Sequence, residues 1–209
     1  QKKMVKKNST QDEQLVNLRL RAFLDKTASA EPVPGGGSIA AMAGSAAAAL
    51  ISMVAHLTLT NGKYKKVHKE ANGILEKSEY LRLKLIYLID EDSKAFRKVM
   101  AAYKLPRSPN KQNEIQKSLF FAAKIPVETA KIALELMNPL EKISRIGNEN
   151  AISDCGVALH MINAAVMSAL LNVNINLKSI SNQARVKKLA EMCAVIKKTL
   201  LKKKEKVEK

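Results

Sequence analysis

Between Ile39 and Leu57 the chain contains no Asp, Glu, Lys or Arg. A stretch of that kind either crosses a bilayer or sits at the centre of a packed bundle. It is almost long enough to span. Its residues are mostly Ala, Gly and Ser, which have little drive into lipid. The expectation is therefore a helix apolar on all sides, buried among other helices. Ala40, Gly44, Ala47 and Ala48 would let those neighbours come close. The segment in front of it, "EPVPGGGS", adds a Pro-x-Pro and three glycines.

The rest of the composition agrees with helices. Aromatic residues make up 4% of the 209 residues and Trp is absent, which suits aliphatic helix packing better than a β-sandwich. This length fits one domain with a core that needs no staples. Cys155 and Cys193 each lie in an apolar run. They offer neither a disulfide framework nor zinc spacing and read as small buried hydrophobes in a reducing, cytoplasmic setting. The N-terminus is basic with no apolar run behind it, so no secretory signal is expected. The formal charge of +17 concerns association rather than fold: it attracts polyanions or multiply charged small molecules. Much of it lies in the two ends.

Residues 1–10 are expected to be disordered and residues 11–205 to form one helical domain. Thr10 and Glu13 have capping-box spacing for a helix over 11–28. Pro32 and Pro34 end it. Ser38 is a candidate cap for a helix over 39–60, closed by Asn61-Gly62. From 64 to 104 one stripe recurs, through Leu81, Leu85, Leu88, Ala95, Val99 and Tyr103. Further helices are expected over 110–137, with Pro126 inside, over a short piece between the Asn138-Pro139 break and Arg145, from Ala151 onward, and over 183–204. "NVNINLKSIS" reads as an extended connector because it is polar and β-branched. The fold class is an all-α bundle of about six helices with two central Ala-rich helices.

Two carboxylates stand out. Asp92 falls on the buried stripe of the long helix, whereas Asp90 and Glu91 fall on other faces. Burial would raise its pKa and suit it to proton transfer. Asp154 opens the helix after the "GNEN" turn on a face continued by Val157, Ala158, Met161 and Ala165; a helix N-terminus favours its ionised form, and by itself it reads first as a first-turn aspartate serving the helix dipole. Such a pair can divide acid and base roles. The loop Pro34, Gly35, Gly36, Gly37 and Ser38 is either a helix-entry linker or a ligand loop that permits close backbone approach at a helix N-terminus. It lacks the P-loop pattern and follows no strand. Asn148, Asn150 and Ser153 are either helix caps or readers of a heterocycle edge. His56, His68 and His160 form no metal pattern, and His56 and His160 read as satisfied core histidines. A basic nucleic-acid-binding module is the alternative of another class, but no recognition motif or interleaved aromatic pattern is present.

Taken in order, "FLDKTASAEPVPGGGSIAAMAGSAAAALISMVAHLT", "DEDSKAFRKVMAAYKLP", "IPVETAKIALE", "GNENAISDCGVALHMINAA" and "LNVNINLKSI" resemble the cyclodeaminase domain of formiminotransferase-cyclodeaminase and the related methenyltetrahydrofolate cyclohydrolases. The resemblance covers about residues 18–205. It implies a cytoplasmic helical homodimer binding tetrahydrofolate near the subunit interface, with the cyclodeaminase half alone in these 209 residues. No prosthetic group, metal, membrane or specific nucleic acid is implied. The reaction expected is conversion of 5-formiminotetrahydrofolate to 5,10-methenyltetrahydrofolate and ammonia; methenyl hydrolysis is the alternative. The family motifs fall on Pro34 to Ser38, Asp92, Asn148, Asn150, Ser153, Asp154, Asn172, Asn176 and Lys178. At position 56 the family usually has Asn where this chain has His. Asp92 and Asp154 are the expected acid/base pair. Lys63, with Lys65 and Lys66, is a candidate for the glutamate tail, including polyglutamylated forms.

Overall fold

The computed structural model describes residues 14–207. The expected disordered segment 1–10 and the Thr10–Glu13 cap lie outside them. Among the described residues there are seven α-helices and no strand. They are α1 (Leu20–Thr27), α2 (Gly36–Leu59), α3 (His68–Lys104), α4 (Lys111–Glu135), α5 (Met137–Ile146), α6 (Ile152–Leu177) and α7 (Gln183–Val207).

The apolar stretch forms α2, at the centre of the bundle. Ala40, Ala41, Ala47, Ala48, Ile51, Val54 and Ala55 are fully buried. Its small side chains set how closely its neighbours lie. A Cβ on Gly44 would stand 3.2 Å from Leu85 of α3 and 3.5 Å from Ala165 of α6. Gly37 meets Asp92 of α3, and Gly36 meets Asn172 of α6. Both neighbours therefore run antiparallel to α2. By length and composition α2 and α6 could each cross a membrane, but α2 is mostly buried by protein. Aliphatic packing holds the fold. The ion pairs, such as Lys77–Glu135 and Arg145–Glu141, lie at the surface, where such pairs contribute little.

Several expectations are corrected. The first helix is broken: a 3-10 turn at Leu15–Asn17 precedes the short α1. The break is fixed by Asp90, which is buried and accepts the Leu15 N–H at 2.7 Å, so Asp90 also points inward. Ser38 is not a cap. Gly35 holds that place and the helix starts at Gly36. The Val33–Pro34 peptide is cis. The break before α5 comes at Leu136, and Pro139 lies in the first turn of α5, where its missing N–H leaves no bond unmade. The connector expected over "NVNINLKSIS" is helical to Leu177. Val166, Leu170, Val173 and Leu177 continue a buried stripe there, and that burial outweighs the weak helix propensity of Asn, Val and Ile. Tyr103 is exposed and Ala102 takes the inward place. Cys155 and Cys193 are free and buried as expected; burial pushes the Cys155 thiol up to about 11.

Gly44→Leu should drive a branched side chain into Leu85 and Ala165. Overpacking of that kind destabilises by about 1–3 kcal/mol. Urea unfolding will read it as a lower midpoint at unchanged slope, and an unchanged midpoint would refute the close approach.

Candidate active site

Asp92 lies on the face of α3 that meets the first turn of α2. Its half-buried carboxyl packs flat on Gly37, where any Cβ would collide with it. Glycine is needed here for closeness, not for an unusual φ. The Ser38 hydroxyl lies 2.9 Å from the Ile89 carbonyl oxygen, 3.2 Å from Asp92 Oδ2 and 3.2 Å from Ser93 Oγ. It has one proton to donate, to Ile89 or to Asp92, while Ser93 can donate to it. Burial pushes the Asp92 carboxyl above its ordinary range. The hydroxyl and backbone N–H of Ser38 hold it down in part.

The same corner gathers further groups. The amides of Gly36 and Gly37 belong to the first turn of α2, where no intrahelical partner exists. The Asn172 amide stands 3.2 Å from where a Gly36 Cβ would be and donates to the Ser168 carbonyl at 2.9 Å, leaving its Oδ1 to accept. One turn on, Asn176 donates to the Ala122 carbonyl at 3.4 Å. Pro34 is buried behind the loop, and Lys178 is exposed just past α6. The chemistry available is a carboxyl that readily takes and gives a proton, beside the positive end of a helix.

The remaining expected residues lie at the other end. The Asn148 amide N–H donates to Thr58 Oγ1 at 2.9 Å, and its side chain caps the Glu149–Ala151 turn by accepting from Asn150. Lys63 pairs with Glu149, and its pKa is raised by that partner. Asn150 and Ser153 are exposed and Asp154 is half-buried; Val157, expected on an inward face, is exposed. From Asp154 to Asn172 runs about 27 Å of α6. Within one chain, Asp92 and Asp154 do not share a pocket, because α2 and α6 run antiparallel and the two aspartates sit at opposite ends of the pair.

Three exposed side chains stand near the first site. Phe96, Met100 and Tyr103 follow Asp92 along the same side of α3 and are 38%, 42% and 48% exposed. α2 starts beside Asp92, so beyond it this side of α3 has no cover from α2. The spacing of these residues from Asp92 was legible; their exposure depends on where α2 begins. The clefts between α4 and α7, beside Ser181, beside Leu15 and between α3 and α5 have neither Asp92 nor Asp154 in their walls. His56 and His160 are exposed rather than core histidines. Among the described residues no group of His, Cys, Asp and Glu could hold a metal ion.

Comparison with known proteins agrees with the fold. Residues 19–195 match the family model described as formiminotransferase-cyclodeaminase. A methenyltetrahydrofolate cyclohydrolase of Methylorubrum extorquens is 38% identical over 187 residues, 85% of this chain and 90% of that protein. The formimidoyltransferase-cyclodeaminase of Gallus gallus is 32% identical, over 83% of this chain and 33% of its own length. The chain thus spans about a third of such relatives. The crystal structure of formiminotetrahydrofolate cyclodeaminase from Thermotoga maritima matches with a TM-score of 0.85 and 34% identity, covering 92% of this chain and 94% of that one. The class is that of all-helical enzymes of one-carbon folate chemistry. Within it, the chain belongs to the formiminotransferase-cyclodeaminase family.

A raised folded-state pKa has a defined consequence for Asp92. The folded chain holds its proton more tightly than the unfolded one. The group therefore destabilises the fold increasingly as pH rises from the unfolded value, near 3.8, through the folded value. Asp92→Asn should be more stable than the parent at pH 7, with the gain shrinking as pH falls through the raised folded value and gone below about 4. Chemical denaturation at several pH values checks this, and an Asn variant less stable at pH 7 would mark Asp92 as merely structural.

Proposed function

We propose that the chain hydrolyses 5,10-methenyltetrahydrofolate to 10-formyltetrahydrofolate, with Asp92 moving the proton. The observation that carries this is the elevated Asp92 carboxyl lying against the glycine start of α2. Asp92 takes a proton from water as the oxygen adds to the methenyl carbon. It returns that proton to N5 as the carbon–N5 bond breaks, and the second water proton leaves as the formyl C=O forms. The free amides of Gly36 and Gly37 suit the developing oxygen. Phe96 and Tyr103 offer flat surface to the substrate rings. The stand-alone relative at 38% identity, which the chain spans almost fully, favours this reading. The second reading, cyclisation of 5-formiminotetrahydrofolate with loss of ammonia, is favoured by the likeness to the Thermotoga maritima enzyme and uses the same groups.

The working unit proposed is a homodimer. From Cys155 to Leu177 α6 has no charged residue, yet Val157, Leu171 and Ile175 are 49%, 68% and 59% exposed. A chain of charge +17 repels its copy almost everywhere except on such a face. Burying each of these side chains is worth about 1.5–3 kcal/mol. An antiparallel α6 pair with its two-fold near Ala164 sets Val157 against Leu171. It carries Asp154 of one copy to the Asn172–Asn176 turn of the other, so the two halves of the expected site meet across the interface.

The methenyl chromophore reports both reactions: accelerated loss supports the hydrolase, and appearance from the formimino substrate supports the deaminase. Asp92→Asn should lower turnover at least about 10²-fold, with Phe96→Ala acting mainly on KM. Neither reaction with the parent chain would remove this reading. Mixing inactive Asp92→Asn and Asp154→Asn chains should restore about a quarter of parent activity, because half the dimers are mixed and each regains one site. No recovery after exchange would refute the shared site.

A further inference from the structure

Ser93 follows Asp92 on α3 and is fully buried, as is Ser38 of α2. Among the described residues the one hydrogen-bond neighbour of its hydroxyl is Ser38, with the two oxygens 3.2 Å apart. Ser38 in turn stands 2.9 Å from the Ile89 carbonyl oxygen and 3.2 Å from Asp92 Oδ2. A hydroxyl has one proton to give and two lone pairs with which to receive. The carbonyl and the ionised carboxylate can only accept. The Ser38 proton goes to one of them, which leaves Ser93 the role of donor to Ser38. Ile89 is not orphaned when that proton turns away, because its carbonyl also faces the Ser93 N–H four residues on in α3.

Burial raises the Asp92 carboxyl and Ser38 lowers it. The charged groups around it are engaged elsewhere or turned outward. α2 carries no ionisable side chain before His56, near its far end. On α3, Asp90 accepts from the Leu15 amide and Glu91 pairs with Lys94. α6 brings Asn172 and Asn176, and Lys178 is exposed past its end. Lys124 of α4 lies over Phe120, and Lys98 of α3 lies over Phe121 of α4. Ahead of α2, Glu31 pairs with Lys26.

We propose that Ser93 is a positioning residue for Asp92: its hydroxyl donates to Ser38 and turns the Ser38 proton from the Ile89 carbonyl to the carboxylate when Asp92 ionises. A hydroxyl that accepts one hydrogen bond donates a stronger one. A bond to a charged acceptor is also worth more than one to a neutral carbonyl. Ionisation therefore swings the Ser38 hydroxyl, and Ser93 stabilises the ionised state. When Asp92 is protonated, Ser38 returns its proton to Ile89. The acid strength of Asp92 is thus set by a side chain that touches neither solvent nor ligand. The inference rests on Asp92 as the proton-carrying group of the proposed function and holds for either reaction.

Carbon-13 NMR of the side-chain carboxyls reads the titration of Asp92 directly, with Asp92→Asn assigning its signal. Ser38→Ala should raise the pKa by about one to two units, since it removes a bond to a charged group. Ser93→Ala should raise it by about 0.5. Ser93→Cys, a weaker donor, should raise it by less than Ser38→Ala and carries the same test if the alanine variant does not fold. Ser93→Ala placed on Ser38→Ala should add nothing, because the path is gone. Ser78→Ala removes another buried hydroxyl of α3, one bonded to the Ile74 carbonyl, and should leave Asp92 unmoved. An unchanged or lowered pKa on loss of the Ser93 hydroxyl overturns the proposal, and so does a shift that persists without Ser38. The titration needs no turnover: a chain inactive on folates can still show the coupling, and an active chain without it keeps its function and loses this inference.

Discussion

The close approach of α3 and α6 to the small-residue surface of α2 underlies the rest of the structure. At Gly44 both neighbours come within reach of a would-be Cβ. Larger side chains there would push the helices apart, since packed interiors leave little slack. Once α2 lies antiparallel to both, the register follows. Gly37 falls on Asp92 and Gly36 on Asn172. The glycine loop is therefore the point where the packing becomes tightest and the backbone becomes part of the site.

That geometry also explains why the chemistry sits at an edge. α2 stops covering α3 at Asp92. The carboxyl is buried enough to raise its pKa, yet the helix beyond it is open. Half-burial of this kind combines access with an elevated pKa. The Asp154 end is built differently. Asn148 is engaged in capping and in bonds to α2, which is a structural role, while Asp154 stands near a face of α6 that has no covering in the single chain. The uncharged exposed faces of the two apolar helices set a chain of high net charge apart from an ordinary cationic surface.

Much of this was legible in local pattern. The charge-free run announced a central helix, and the spacing of Leu81, Leu85 and Leu88 put Asp92 on the inward stripe. The same reasoning failed where burial changes direction along a helix. Asp90 is inward because the Leu15 amide needs an acceptor, a partner 75 residues away that no local period reveals. The end of α6 was misread because its Asn and β-branched residues were weighed above the continuing stripe of Val173 and Leu177. His56 and His160 sit on apolar helices but face outward, as one side of a central helix still must at the surface of a small bundle.

The sequence by itself determined the helical class, the central place of residues 39–57, the inward carboxyl at Asp92 and the glycine loop as the place of closest backbone approach. These depend on period and side-chain size, which are local properties. Tertiary structure alone decided which groups meet: Gly37 with Asp92 and Gly36 with Asn172, while Asp154 lies about 27 Å from Asn172 along α6. The reason is that the relative direction and register of helices come from packing between segments distant in the chain, and no spacing within one helix encodes them.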